Sequence, residues 1–242
     1  MRSYLGKVAL IGPGAVGGFY GAMLAKSGAD LHFVFRSTYD AVKTSGLWLV
    51  HHAEGSRREP IDSFEAHSSV ESIGICDWVI VATKTTANHS LCESIRPLIG
   101  KGTNLLTLQN GMGNVENLAD GFGTDRTILA GLCFTCINRT APNVIESFLP
   151  GYVQFGEFGR TVSEKGMGMA QAFESAGVRI RVAESLDEAL WRKLCWNVPF
   201  NGLAIAGGGL TTDLILADPA LKRRARDLMQ EIQSGAMAYG LP

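Results

Sequence analysis

The segment KVALIGPGAVGGFYGAMLAKSGADLHFVF, residues 7–35, limits the folds open to this chain more than any other stretch. A short apolar run ends in glycines, a small and apolar helical segment follows, and a second apolar run closes it. Strand, Gly-rich turn, helix and strand make a βαβ unit, whose crossover is almost always right-handed. Gly12, Gly14 and Gly17 stand in GxGxxG spacing. The first permits a tight turn, the second lets backbone approach a pyrophosphate, and the third lets the helix pack on the strand. The helix N-terminus then faces the anion. Such a string is weak alone, but here it lies between a strand and a helix, which is its confirming context. Gly12, Pro13, Gly14, Ala15, Val16 and Gly17 are therefore the expected seat of a dinucleotide.

The end of the second strand selects the dinucleotide. A carboxylate there holds the ribose 2′-hydroxyl of NAD, whereas a cation suits the 2′-phosphate of NADP. The sequence reads FVFRST, placing Arg36 at that point with Ser37 and Thr38 behind it. Asp30 sits at the other end of the strand and cannot reach. The expected cofactor is NADPH/NADP.

Downstream, GLWLVHHAEGSRREPI reads as a hairpin turning at AEGS. DWVIVATK, NLLTLQNG and TILAGLCFTCINR read as buried strands, with a helix from about residue 86 to 98 after the first. Apolar strands alternating with helices argue for a mostly parallel sheet covered on both faces. NVIESF and YVQFGEF are expected as an antiparallel pair at the sheet edge. A helix over 163–175 and the strand VRIRVA end this part, and everything after it reads as helical. The expectation is an α/β fold: a Rossmann-type domain over 1–183, then a short all-helical domain over 184–242. The last helix starts at Asp218 and Pro219 and carries Leu221, Ala225, Leu228, Ile232 and Ala236 on one stripe.

Bulk properties narrow the function classes. Net charge is −1, so neither a nucleic-acid groove nor an anionic membrane surface is advertised, and KRRAR at 222–226 is a solvated helix face. No apolar run is long enough to span a bilayer, and no apolar signal segment precedes Lys7. Five scattered cysteines fit reduced thiols in a cytoplasmic protein. Cys133 and Cys136 form a CxxC inside a strand-like run without a second ligand pair, and His51 and His52 read as hairpin surface. No metal site is expected.

The segment ALWRKLCWNVPFNGL, residues 189–203, carries the chemistry. Each step of four along a helix turns a side chain by only about forty degrees, so Lys193, Asn197 and Asn201 share one face. Trp191, Leu194, Cys195, Trp196, Val198 and Phe200 fill the others, so much of the helix is expected to be buried. A buried ammonium and buried amides need partners, which suggests the wall of a polar cleft. Pro199 removes a backbone donor among them and tilts Asn201 relative to Lys193.

With these residues in place, the chain resembles the 2-dehydropantoate 2-reductase (ketopantoate reductase) family of the wider 6-phosphogluconate-dehydrogenase-like group. IGPGAVGG, Arg36, VATKT around Lys84, LQNGMGN around Asn110 and LWRKLCWNVPFN carry the resemblance, in order along the chain. It implies that Lys193 is the catalytic proton donor and that Asn197 and Asn201 hold the lysine and the substrate. It also implies that Asn110 lies near nicotinamide and substrate, and that Lys84 is a second cation for cofactor or substrate carboxylate.

The implied reaction is NADPH-dependent reduction of 2-dehydropantoate to pantoate, for pantothenate and coenzyme A synthesis. A paralogue acting on another small 2-oxo or 3-hydroxy acid, or an NADP-binding sensor without turnover, shares much of this pattern. Two features depart from the family: Pro199 replaces a small residue, and Gly202 stands where Pro is common. Family members also continue beyond this point with a serine and a glutamate that no residue here matches. The stripe of the last helix has no obvious intrachain partner, so a homodimer through the helical region, or a fuller natural chain, is expected to cover it.

Overall fold

In the computed structural model of the protein, residues 5–241 are described, and they fall into two compact units divided between Glu184 and Ser185. The first unit holds β1 (Lys7–Ile11), α1 (Ala15–Lys26), β2 (Asp30–Val34), α2 (Tyr39–Ser45), β3 (Leu47–His51), β4 (Arg57–Ile61) and β5 (Glu65–His67). There follow β6 (Trp78–Val81), α3 (Asn88–Ile95), β7 (Asn104–Thr107), α4 (Asn114–Phe122), β8 (Ile128–Ala141), β9 (Val144–Glu157), α5 (Glu164–Ser175) and β10 (Ile180–Val182). Its strands form one mostly parallel sheet in the order β4-β3-β9-β8-β7-β6-β1-β2-β5, with β10 alongside β9.

From β1 the chain moves one way to β2, whereas from β6 it moves the other way to β7. Right-handed crossovers then put α1 and α3 on opposite faces and make the gap between β1 and β6 the point where strand order reverses. Helix α1 lies unusually close to its sheet. A Cβ on Gly17 would come within 2.6 Å of the Ala82 Cβ and 2.7 Å of the Gly12 carbonyl oxygen. One on Gly21 would strike the Phe33 ring at 2.4 Å. Beneath the helix Leu10, Phe33, Phe35, Phe155 and Phe173 are fully buried, each worth roughly 1.5–3 kcal/mol.

The expected hairpin is present as β3 and β4, paired antiparallel with Leu47 opposite Ile61. The expected edge pair is different. NVIESF and YVQFGEF are two halves of one strand, β9, which lies inside the sheet. Its first half pairs with β3, its second half pairs with β10, and β8 runs antiparallel along both. Pro150 and Gly151 only bend it, at a bulge opposite Phe134 and Cys136. Gly151 has φ +60°, and a Cβ there would sit 1.7 Å from the Phe134 carbonyl oxygen. Pro and Gly thus mark a bulge here rather than a strand end.

The second unit comprises α6 (Leu186–Ala206), α7 (Thr212–Ala217) and α8 (Pro219–Ala238). Ser185 and Asp218 cap α6 and α8 through their side-chain oxygens. The stripe on α8 does have an intrachain partner, contrary to expectation: it packs on α6, with Ala225 and Ala236 buried and Gly235 against the Trp191 ring. The uncovered apolar side chains are instead Trp196, Val198 and Ile205 of α6, Leu214 and Leu216 of α7, and Met237 of α8. Among the described residues, no helix is long and apolar enough to cross a membrane.

Candidate active site

Four adjacent parallel strands end on one edge of the sheet, and each is followed by a residue singled out from the sequence. The register sets Ile11 beside Val34 and Val81, and Val81 beside Thr107. Gly12 follows β1 directly, Arg36 follows β2, Lys84 follows β6 and Asn110 follows β7. Arg36, Lys84 and Asn110 are all exposed. Asp30 opens β2 at the opposite edge.

At the reversal point Gly12 has φ +80°, and a Cβ on it would meet the backbone nitrogen of Thr83 at 2.8 Å. The turn after β1 and the end of β6 therefore touch backbone to backbone. Gly14 is the cap residue of α1 and has no side chain to close the helix. Its own N–H donates to the Gly12 carbonyl at 2.7 Å, and no side chain caps the first amides of the helix. A Cβ on Gly14 would find only that carbonyl, 3.9 Å away. The result is an open seat beside uncapped amides, which suits a pyrophosphate.

Arg36 is not the only arginine at the end of β2. Arg139, from the middle of the sheet on β8, donates from Nη2 to the Thr38 hydroxyl at 3.2 Å, while its Nε is buried without a partner. Burial pulls its pKa down from the ordinary value. Nothing in the sequence signalled it, because it comes from a strand a hundred residues away. An amide network also lies behind Asn110, and the sequence signals it only in part. Gln109 donates to Thr83 Oγ1 at 3.3 Å and to Asn88 Oδ1 at 2.8 Å; Asn88 in turn donates to Asn114 at 2.9 Å. Asn114 then donates to the carbonyls of Asn110 and Gly111, each at 3.2 Å. These bonds tie the ends of β6 and β7 to the starts of α3 and α4. The QNGMGN string contains two of the three amides, and the turn it makes, with Gly111 and Gly113 at positive φ, was its visible signal.

In the second unit Lys193, Asn197 and Asn201 follow one row of α6, and burial grades along it. Lys193 is only 7 % exposed, Asn197 is half-buried and Asn201 is exposed. Pro199 is buried within the continuous helix. Less of α6 is covered than expected, since Trp196 and Val198 are exposed. Two partner helices shield only part of its circumference.

The ketopantoate reductase PanE/ApbA family matches residues 8–160, and its C-terminal part matches residues 185–242. The chain belongs to the ketopantoate reductase family. A 2-dehydropantoate 2-reductase from Nostoc sp. is 36 % identical over 97 % of this chain and 73 % of its own. The crystal structure of 2-dehydropantoate 2-reductase from Geobacter metallireducens superposes with a TM-score of 0.90 at 40 % identity, covering 97 % of this chain and 76 % of that one. The D-mandelate dehydrogenase structure with NADH, at 21 % identity and a TM-score of 0.81, shares the fold, covering 97 % of this chain and 74 % of its own. The glycine turn, with no side-chain cap on α1 and Arg36 following β2, is compatible with the phosphates of a dinucleotide.

Proposed function

We propose that this chain reduces 2-dehydropantoate to pantoate with NADPH, a step of pantothenate and coenzyme A synthesis. The observation that carries the reading is the buried Lys193, one turn before Asn197, in the segment that the C-terminal part of the family matches. The close relatives named 2-dehydropantoate 2-reductase support the substrate.

Residues 12–17 seat the pyrophosphate, and Arg36, with Arg139 steadying Thr38 beside it, receives the 2′-phosphate. Bound NADPH supplies the hydride. As it arrives, negative charge grows on the keto oxygen, and a fixed ammonium removed from water stabilises that charge and then releases its proton to it. Lys193 has that role. Asn197 and Asn201 orient the ammonium and the polar groups of the substrate. Asn110, held by the amide network, lies by nicotinamide and substrate, and Lys84 serves cofactor or carboxylate.

A homodimer through the helical unit is the natural cover for Trp196, Ile205, Leu214 and Met237, with Ile205 81 % exposed. Five free cysteines fit the reducing cytoplasm. Oxidation of NADPH in the presence of a panel of 2-oxo acids tests the assignment. Turnover confined to 2-dehydropantoate supports it. Turnover on another acid instead would make the chain a paralogue of different specificity, and binding without turnover would make it a sensor.

A further inference from the structure

At the outer strand pair of the sheet, three side chains on β2 and β5 converge. The register pairs His32 with Glu65 and Val34 with His67, so Glu65 and His67 sit two apart on one face of the edge strand, with His32 beside them. His32 Nδ1 lies 3.0 Å from His67 Nε2 and 3.4 Å from Glu65 Oε2, and His67 Nε2 lies 3.6 Å from that same oxygen. A tetrahedral zinc ion with bonds of about 2.0 Å separates its ligand atoms by about 3.3 Å. The three atoms therefore outline one face of such a tetrahedron.

The far side of each ring is polar, and that of His67 is hydrogen-bonded. His67 Nδ1 lies 2.8 Å from the Ser72 hydroxyl, while His32 Nε2 is buried without a hydrogen bond, with Asp30 Oδ1 3.3 Å away. An acceptor behind an imidazole takes the N–H of that nitrogen and leaves the lone pair of the other turned toward a metal. With the proton of His67 on Nδ1, toward Ser72, and that of His32 on Nε2, on the Asp30 side, two lone pairs and a carboxylate oxygen meet at one point, an arrangement that a cation satisfies. A direct bond between the rings settles only two of the three atoms and leaves the carboxylate against an imidazole lone pair. His32 is 5 % exposed, whereas the Glu65 side chain is 68 % exposed, so a fourth position opens to water.

We propose that His32, Glu65 and His67 bind a divalent transition metal of the zinc class, clamping the short edge strand β5 to β2. Imidazole and carboxylate donors in this number suit zinc, and cobalt(II) serves as its spectroscopic substitute.

The test titrates the metal-stripped full chain with Zn²⁺ and with Co²⁺. Expected are one saturable site, a four-coordinate Co²⁺ ligand-field spectrum without a thiolate charge-transfer band, and a rise in melting temperature with Zn²⁺. Ser72→Ala should weaken binding by about tenfold, and loss of a direct ligand in His67→Gln or Glu65→Gln by at least about a hundredfold. Glu65 faces solvent, so its variant keeps the fold and the test stays decisive. Unchanged affinity in both ligand variants, or a thiolate band, would place the metal on cysteines and overturn the proposal. So would the absence of saturable binding below millimolar Zn²⁺, which leaves only a hydrogen bond between the rings.

Discussion

Gly14 and Gly17 stand one helical turn apart, yet a methyl group added to each should do opposite things. At Gly17 the new carbon would lie 2.6 Å from the Ala82 Cβ and 2.7 Å from the Gly12 carbonyl oxygen. Neither neighbour is a flexible side-chain end, so α1 must lift from the sheet. Overpacking of this kind costs about 1–3 kcal/mol, offset by roughly 0.5–1 kcal/mol from the better helix propensity of alanine. At Gly14 the new carbon meets nothing nearer than 3.9 Å, so stability should stay within about 0.5 kcal/mol of the wild type. Its methyl group, however, stands in the space that a phosphate must enter to reach the uncapped amides. Displacing one charge-assisted hydrogen bond there costs about 1.5–3 kcal/mol, or roughly 10- to 150-fold in the NADPH Kd. Urea unfolding and calorimetric titration with NADPH separate the two effects. Unchanged NADPH affinity in Gly14→Ala would refute the seat, and destabilisation equal to that of Gly17→Ala would refute its openness.

Further expectations bear on charge and strain. Arg36→Ala should weaken NADPH binding while largely sparing NADH, measured as two Kd values; equal losses would remove the 2′-phosphate assignment. Lys193→Ala should lower kcat by at least about a hundredfold and leave the NADPH Kd intact, as single-turnover and binding measurements can show. Burial alone would raise the Glu59 pKa, but hydrogen bonds from Lys26, Arg57 and His51 outweigh it and hold the carboxyl at about 2, below its ordinary 4.5. A depressed pKa means stability that is present above about pH 4.5 and lost as the pH falls toward about 2. The difference in urea midpoint between wild type and Glu59→Gln should therefore be large at neutral pH and close through that window. Gly151→Ala meets both a positive φ and the Phe134 carbonyl at 1.7 Å, so it should destabilise by more than about 2 kcal/mol in thermal unfolding.

How much of this was legible in the sequence depends on whether the governing force was local. The βαβ start and the β3–β4 hairpin were readable, because glycine spacing and apolar runs act within a few residues. The continuity of β9 was not, since Pro150 and Gly151 are punctuation whose meaning depends on β8 across the sheet. Nor was β5, three polar residues that become a strand only by pairing with β2. Histidines mislead for the same reason: the hairpin sequence predicts His51 at the surface, yet it is buried and bonded to Glu59 at 3.1 Å. The row on α6 was visible from its four-residue period. Its gradient from buried Lys193 to exposed Asn201 was not, because burial is set by which neighbours arrive.

The position of β9 also bears on synthesis. Strand β3 joins the sheet only through β9, with Trp48 beside Val144, about a hundred residues later. At roughly 5–20 residues per second, the β3–β4 hairpin leaves the ribosome and waits about 5–20 s for its place in the sheet. During that interval both edges of the hairpin are open to pairing with other chains. Its outer strand reads Arg57, Arg58, Glu59, Pro60, Ile61, and charges with a proline are what discourages such pairing. Beyond the bonds that Glu59 makes in the finished fold, that composition protects a hairpin made long before the strand it needs.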